Sequence, residues 1–173
     1  MLMLASPGSL FLPGALAFGY WLWQKRREAL VGAAALAVLI VVVDQAGAQL
    51  KHLVGRARPC HALAAVHQLT GCGGTSSFPS NHALNTAAAA AFAQVLYPWT
   101  GWLTWPIVVL VGFSRVYVGA HYVTDVLGAW AIGSPLGALA GYALVRSSLF
   151  GRKAGARGPA LGASAGAGKT AAD

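Results

Sequence analysis

Three short polar clusters stand out in a chain of 173 residues, of which 57% are hydrophobic and only 9% are charged. They read KHLVGRARP at residues 51–59, FPSNH at 78–82 and SRVYVGAHYVTD at 114–125. Together they supply cations, histidines and an aspartate, a set of side chains that can bind an anion and move protons. Because charge is expensive near a membrane, three such clusters predict a functional site.

The cations of these clusters indicate a phosphate ligand. Lys51, Arg58 and Arg115 have no acidic residue close by in the sequence, and guanidinium groups match the oxygens of a phosphate. The tetrapeptide PSNH predicts the start of a helix, with Ser80 as the N-cap. Free N–H groups at a helix start form a second cradle for an anion.

Two histidines provide the groups that phosphate-ester hydrolysis needs. His121 and Asp125 are four residues apart, a spacing that on a helix places them on one face. An aspartate that accepts a hydrogen bond from one imidazole nitrogen leaves the other nitrogen free to act as a nucleophile. His82 could protonate the leaving oxygen, and the three cations could stabilise the developing charge without a metal ion or cofactor.

The three clusters resemble the signature of the type 2 phosphatidic acid phosphatase and vanadium haloperoxidase superfamily, across roughly residues 44–130. That signature is K-x6-R-P, then P-S-G-H, then S-R-x5-H-x3-D. Residues 51–59 match its first part and residues 114–125 its third. Residues 79–82 match the second part, except that Asn81 replaces the glycine.

The resemblance implies a role for each matched residue. His121 would form a phosphohistidine intermediate and be oriented by Asp125. His82 would act first as the general acid and then as the base that activates water. The phosphate would be held by the side chains of Lys51, Arg58, Arg115 and Ser80 and by the backbone N–H of Asn81.

Five apolar segments could hold these clusters in a bilayer. A helix that crosses the hydrocarbon core needs roughly 20 mostly apolar residues. The segments that meet or approach this requirement are 2–23, 29–50, 82–97, 101–118 and 123–145. The sequence thus predicts an all-α, polytopic transmembrane bundle with about five spanning helices, formed by one domain at residues 1–150. The first segment is interpreted as a retained helix because it lacks a basic leader and a cleavage site. The family that the chain resembles usually has six crossings in its membrane members.

The distribution of basic residues predicts the orientation of the bundle in the cell membrane. Eight of them flank the segments on one side, which the positive-inside rule makes cytoplasmic: Lys25, Arg26, Arg27, Arg146, Arg152, Lys153, Arg157 and Lys169. Lys51, Arg56, Arg58 and Arg115 then lie on the other side. The predicted site therefore faces the non-cytoplasmic interface.

Residues 151–173 are rich in glycine and alanine and show no apolar periodicity, which predicts a disordered basic tail in the cytoplasm. The stretch ASAGAGKT within it is similar to a phosphate loop, but no strand precedes it. A nucleic-acid partner is not indicated by the net charge of +8, because the basic residues flank apolar segments and form no continuous patch.

Three features near the site leave alternatives open. Cys60 and Cys72 lie in one outer loop and could form a disulfide or remain free thiols. Asp44 lies inside a predicted membrane segment, where it could pair with Lys51 or with a neighbouring helix, or take part in catalysis. Arg56 has no place in the family signature, and either solvation in the loop or contact with substrate would explain it.

The last predicted helix carries Gly133, Gly137 and Gly141 at intervals of four residues. Small residues at this spacing let membrane helices approach closely. The pattern favours packing within the chain, and a homodimer seam is the alternative.

The sequence thus predicts a metal-independent membrane phosphatase whose substrate is a lipid phosphate or diphosphate. The resemblance suggests undecaprenyl diphosphate, phosphatidylglycerophosphate or phosphatidate as substrates, with a slight preference for the first because the site faces outward. The alternatives are an enzyme similar to vanadate-dependent haloperoxidases and a non-catalytic membrane protein that binds an anion.

Overall fold

The computed structural model describes residues 11–63 and 73–150, and this part of the chain is helical. Its helices are α1 (Phe11–Gln24), α2 (Arg26–Val54), α3 (Pro59–Ala62), α4 (Asn81–Leu96), α5 (Gly101–Tyr117) and α6 (Val123–Arg146), with a 3-10 turn at Pro98–Thr100. Within the described ranges, β-type pairing is limited to one isolated antiparallel bridge between Ala57 and Ser76. The predicted all-α class is confirmed.

The observed helices follow the predicted apolar segments closely. Helices α4, α5 and α6 agree with the predicted boundaries to within one residue at each end. Helix α2 is longer than predicted at both ends, and only Lys25 separates it from α1. The start of the first predicted segment and the predicted tail at 151–173 lie outside the described residues.

Among the helices of residues 11–63 and 73–150, two are long and apolar enough to cross a membrane. Helix α2 has 29 residues and α6 has 24, with mean hydropathies of 2.2 and 1.3. Their outward faces carry large apolar side chains: on α2, Val38 is 64% exposed and Val41 is 62% exposed. Gly32 and Gly47 on the same helix are buried. Bulky apolar residues outside and small residues inside are typical of helices that face lipid.

Helix α4 occupies the centre of the bundle and packs against α6, α5 and α2. Its buried residues are mainly alanines, which allow close helix approach: Ala83, Ala87, Ala88, Ala90 and Ala91. The glycines of α6 fit against this helix. A Cβ atom at Gly133 or Gly137 would collide with a backbone carbonyl of α4, and one at Gly141 would lie 2.9 Å from the Val95 side chain. The glycine series therefore packs inside the chain and gives no support to a homodimer seam.

The connections between helices lie at two opposite ends of the bundle, and each end carries its own set of polar residues. The end of α2, the start of α4 and the turn between α5 and α6 lie together at what we call the site end. The junction of α1 with α2, the α4–α5 turn and the end of α6 form the far end. Trp23, Trp99 and Trp102 are largely exposed at the far end, as expected for side chains at a membrane interface.

Candidate active site

Lys51 brings the first polar cluster to the second. It lies in the last turn of α2, which ends at Gly55 in the left-handed conformation (φ 59°), where the Gly55 N–H donates to the Lys51 carbonyl. Glycine adopts this conformation without steric cost. The Lys51 ammonium donates to the carbonyl oxygen of Pro79. A residue of the first cluster thus contacts the loop that leads into α4.

Backbone hydrogen bonds tie all three clusters together. The Ser77 N–H donates to the Arg56 carbonyl at 2.8 Å, next to the bridge between Ala57 and Ser76. The Ser80 N–H donates to the Asp125 carbonyl at 3.3 Å. Three segments that are far apart in sequence therefore meet at the site end.

His121 does not lie on the same helix as Asp125, so that part of the sequence interpretation is wrong. Helix α6 begins at Val123 after the N-cap Tyr122, which leaves His121 in the preceding turn. The two side chains still approach each other, because Asp125 occupies the first turn and faces back. Its Oδ2 accepts the Tyr122 N–H at 2.9 Å and lies 3.7 Å from His121 Nδ1. This last distance is longer than a hydrogen bond.

The other oxygen of Asp125 binds Arg56, which the sequence pattern had left without a role. Arg56 Nη1 donates to Asp125 Oδ1 at 2.8 Å and to Thr124 Oγ1 at 2.7 Å. Its guanidinium also stacks over the Tyr122 ring, 4.1 Å from the ring centroid. The sequence did contain one signal for this role of Arg56. Asp125 is a carboxylate predicted at a membrane interface, and a carboxylate in that position needs a cation as a partner.

The predicted cations converge on the two histidines. His82 lies in the first turn of α4 and interacts electrostatically with Arg115, Lys51 and Arg58. His121 interacts with Arg58 and Lys51. The structure therefore brings the two histidines and the three cations together, and their individual roles stay predictions.

The His121 imidazole lies in an environment that keeps it neutral. Its side chain is only 5% exposed. Burial, together with the positive charges of Arg58 and Lys51, lowers the pKa of His121 to about 4, although a hydrogen bond to the Ser77 backbone and the Asp125 carboxylate act in the opposite direction. A neutral ring at pH 7 is the form that a nucleophile requires.

Several buried polar atoms of the cluster have no hydrogen-bond partner among the described residues, and two of them besides His121 Nδ1 belong to predicted phosphate-binding side chains. Ser80 is the N-cap of α4, as predicted, but its side chain makes no capping hydrogen bond. Its Oγ and the Nε of Arg58 are both buried and unpaired. Since buried polar groups are nearly always hydrogen-bonded, these atoms suit an anionic ligand.

The side chain of Asn81 turns away from this cluster toward α2. Its Nδ2 donates to Asp44 Oδ1 at 2.9 Å, and Nδ2 of Asn85 donates to the same oxygen at 3.1 Å. Asp44 therefore takes its hydrogen bonds from a neighbouring helix, one of the predicted alternatives. Gly47 permits the approach, since a Cβ there would lie 3.2 Å from Asn81 Oδ1. The Asn81 side chain is thus bound to Asp44, and the phosphate contact of its backbone N–H stays a prediction.

Two further observations concern possible metal ligands and the cysteines. No group of three or more His, Cys, Asp or Glu side chains in residues 11–63 and 73–150 is arranged to hold a metal ion. Cys60 is disulfide-bonded, and the sequence contains one other cysteine, Cys72, which lies outside the described residues.

The fold and the site together define an apolar helical bundle with a cluster of cations and histidines at one end. The sequence profile of the PAP2 superfamily matches residues 26–148. The chain therefore belongs to the PAP2 superfamily, the family that its three clusters resemble.

Individual relatives within this superfamily are lipid phosphatases by name. A lipid A 4'-phosphatase of Porphyromonas gingivalis is 30% identical over 132 residues, which cover 71% of this chain and 56% of the relative. A decaprenylphosphoryl-5-phosphoribose phosphatase of Mycobacterium tuberculosis is 36% identical over 141 residues, covering 80% of this chain and 68% of the relative. The chain thus spans little more than half the length of the first of these proteins.

A solved structure shares the fold. The crystal structure of a transmembrane PAP2-type phosphatidylglycerolphosphate phosphatase from Bacillus subtilis matches with a TM-score of 0.57 and 28% identity. The match covers 81% of this chain and 72% of the solved one.

Proposed function

We propose that this protein hydrolyses a lipid phosphate or diphosphate at the site end, without a metal ion, through a phosphohistidine on His121. The observation that carries the proposal is the meeting of three cations with two histidines at one end of an apolar bundle. Lys51 and Arg58 act electrostatically on both His82 and His121. Such a concentration of positive charge around a neutral imidazole favours an anionic electrophile, and a phosphoryl group is the electrophile that guanidinium groups bind best.

In the first step the His121 nitrogen that faces away from Asp125 attacks phosphorus, after the imidazole has given up its hydrogen bond to the Ser77 backbone. A bond forms between nitrogen and phosphorus, and the bond from phosphorus to the lipid oxygen breaks. His82 gives its proton to that oxygen as it leaves. The cations stabilise the charge that builds on the other phosphoryl oxygens. The distance of 3.7 Å between His121 Nδ1 and Asp125 Oδ2 must shorten to about 2.8 Å for a charge-assisted hydrogen bond in the transition state.

In the second step water replaces the histidine. His82, now neutral, removes a proton from a water molecule, and the resulting oxygen attacks the phosphohistidine. The nitrogen–phosphorus bond breaks and inorganic phosphate is released, which restores both histidines to their starting forms. For a diphosphate substrate the terminal phosphorus reacts, and the lipid leaves as a monophosphate.

The proposal includes a cell-membrane topology of five crossings, with the site end on the non-cytoplasmic side. The charge bias of the sequence supports it, since Lys25, Arg26 and Arg27 lie at the far end. The exposed tryptophans at that end also suit a membrane interface. Helices α4 and α5, with 16 and 17 residues, are near the short limit for a crossing, which supports a site at head-group depth. Residues 151–173 are proposed to form a cytoplasmic tail.

A substrate in this topology slides in from the lipid, with its tail in the bilayer and its phosphate among the cations. We prefer a polyprenyl diphosphate such as undecaprenyl diphosphate, because the site faces outward. The Mycobacterium tuberculosis relative, which is named for a decaprenyl-linked phosphate, agrees with a polyprenyl substrate. Phosphatidylglycerophosphate and phosphatidate are the competing substrates.

The test is phosphate release by the purified protein in one detergent, with polyprenyl diphosphates compared against phosphatidylglycerophosphate and phosphatidate. We expect turnover of at least one substrate, no effect of chelator, and a loss of about 10³-fold or more in the His121→Ala variant, because the nucleophile itself is removed. The matched control is His52→Ala, since His52 is exposed at the end of α2 and has no role in the mechanism. Turnover that survives His121→Ala would reject the nucleophile, and strong inhibition by chelator would reject the metal-free mechanism.

A further inference from the structure

Arg56 makes three contacts with the first turn of α6, although 66 to 69 residues separate the partners in sequence. Nη1 donates to both Thr124 and Asp125, and the guanidinium lies over the Tyr122 ring. All three partners lie within four residues, from the N-cap Tyr122 to Asp125, directly after His121. These three contacts with another element argue against the alternative that Arg56 is simply solvated in the loop.

Arg56 also provides the cation that lets Asp125 be buried. The Asp125 side chain is 0% exposed, and a buried carboxylate is strongly unfavourable without a charged partner. His121 lies at 3.7 Å and makes no hydrogen bond to it. The direct ionic partner at hydrogen-bond distance is Arg56, at 2.8 Å.

The charge balance around His121 follows from this pairing. The charged groups that act on its ring are Arg58 from the loop after α2, Lys51 from α2 and Asp125 from α6, and the Ser77 backbone accepts a hydrogen bond. Without Arg56, the Asp125 carboxylate would lose its direct ion-pair partner and keep only the longer-range interactions with Lys51 and Arg58, so more of its negative charge would act on the ring. A nearby negative charge favours the protonated imidazole, which has no lone pair for attack on phosphorus.

We propose that Arg56 is a positioning residue of the phosphatase site, which fixes Asp125 and neutralises its charge so that His121 stays neutral and correctly oriented. The inference rests on the proposed function, because it assigns Arg56 an effect on the His121 nucleophile. It distinguishes Arg56 from Lys51, Arg58 and Arg115, which contact the phosphate in the proposed mechanism. Arg56 acts on the reaction only through Asp125.

The first measurement needs no substrate. The His121 pKa is followed by nuclear magnetic resonance titration of histidine-labelled protein in detergent, with the signal assigned by its loss in His121→Ala. We expect Arg56→Met to raise the pKa of His121 above the wild-type value of about 4, and Arg56→Lys, which retains the charge, to raise it less. Arg146→Met at the far end is the matched control and leaves the titration unchanged.

The second measurement is steady-state hydrolysis. For Arg56→Met we expect a fall of roughly 10- to 100-fold in kcat, in the range of a disturbed acid–base group, with KM changed by less than about threefold. The acid limb of the kcat/KM profile shifts to higher pH. Arg56→Lys recovers part of the loss, and Thr124→Val, which removes one neutral contact, costs less than Arg56→Met.

The outcomes separate this inference from the proposed function. Wild-type protein without phosphatase activity would reject the proposed function, while the titration still decides whether Arg56 controls His121. An unchanged His121 pKa in Arg56→Met would overturn the inference, whatever happens to activity. A rise in KM with kcat unchanged would place Arg56 on the substrate and would also overturn it. If Arg56→Met fails to fold, the smaller shift in Arg56→Lys still has to appear.

Discussion

The two ends of the bundle handle charge differently. At the far end, Lys25 and Glu28 form an ion pair of 3.2 Å with the lysine side chain 52% exposed. Glu28 also accepts a hydrogen bond from Tyr97 at 3.1 Å. At the site end, Asp125 is fully buried and its ion pair with Arg56 joins residues 69 positions apart.

This difference indicates which end carries function. The far-end pair joins residues three apart at the start of one helix, and an exposed pair of this kind contributes about 0–1 kcal/mol. The site-end pair must recover a large desolvation penalty. It also sits among three further cations and two histidines, an arrangement that costs stability through like-charge repulsion. Ionisable groups kept buried at such cost are typical of active sites.

The largest predicted difference between the ends concerns the cations. Replacing Arg58 by methionine removes a proposed phosphate ligand, and we expect kcat/KM to fall by roughly 10²- to 10³-fold, the effect of losing one preorganised donor. The far-end control is Arg27→Met, which should change kcat/KM by less than about threefold. Equal losses from Arg58→Met and Arg27→Met in the phosphate-release assay would remove the distinction between the two ends.

A second prediction concerns the packing that carries α6 to the site. The alanine side chain in Gly137→Ala would collide with the Ala88 carbonyl of α4, so we expect a loss of about 1–3 kcal/mol in stability and a smaller loss of activity than for Arg58→Met. Thermal unfolding in detergent measures the change. Gly19→Ala is the control, because a Cβ at Gly19 meets no atom within 4 Å. A Gly137→Ala protein as stable as Gly19→Ala would contradict the close contact between α4 and α6.

The third prediction concerns the residue that departs from the family signature. Asn81→Gly removes the hydrogen bond to Asp44 but keeps the backbone N–H, so we expect a stability loss of about 1 kcal/mol and kcat/KM within about threefold of wild type. Asn81→Asp places a second carboxylate beside Asp44 and should reduce both stability and activity more. A loss of activity in Asn81→Gly that exceeds its loss in Asn81→Asp would mean that the amide itself binds substrate.

The smallest effect is expected at the far-end ion pair. Glu28→Gln keeps the shape of the side chain and removes its charge, and we expect less than about 0.5 kcal/mol of destabilisation with unchanged kcat/KM. The comparison variant at the site end is Asp125→Asn, which should reduce activity strongly because it unpairs Arg56 and leaves His121 without its carboxylate. A Glu28→Gln protein that lost activity as Asp125→Asn does would show that both ends contribute to the reaction.

The spacing of residues in the sequence was enough to predict three helices and the residues of the family motif. Apolar length predicted α4, α5 and α6 to within one residue, and the family signature selected Lys51, His82 and His121 for the region where the structure brings them together. These features are local or belong to a strong motif, so they can be found without tertiary structure.

The remaining features depend on contacts between distant segments. Arg56 binds Asp125 only because the loop after α2 folds over the start of α6, and no periodicity signals that approach. The turn of Asn81 toward Asp44 depends on the close packing that Gly47 allows. The position of His121 outside α6 depends on Asp125 accepting the Tyr122 N–H, and a four-residue spacing does not distinguish that turn from a helix.

The central claim is that His121 attacks a phosphate held at the site end, and trapping the intermediate tests it most directly. His82→Ala protein is mixed with a polyprenyl diphosphate labelled at the terminal phosphate and quenched rapidly. The lipid monophosphate is a good leaving group that can depart without the acid, whereas loss of the base that activates water should slow breakdown of the intermediate. We predict label on the protein that is stable to alkali and labile to acid, as expected for a phosphohistidine, and no label in the His82→Ala/His121→Ala double variant. Label that persists in the double variant, in a protein whose wild type hydrolyses the same substrate, would contradict the account.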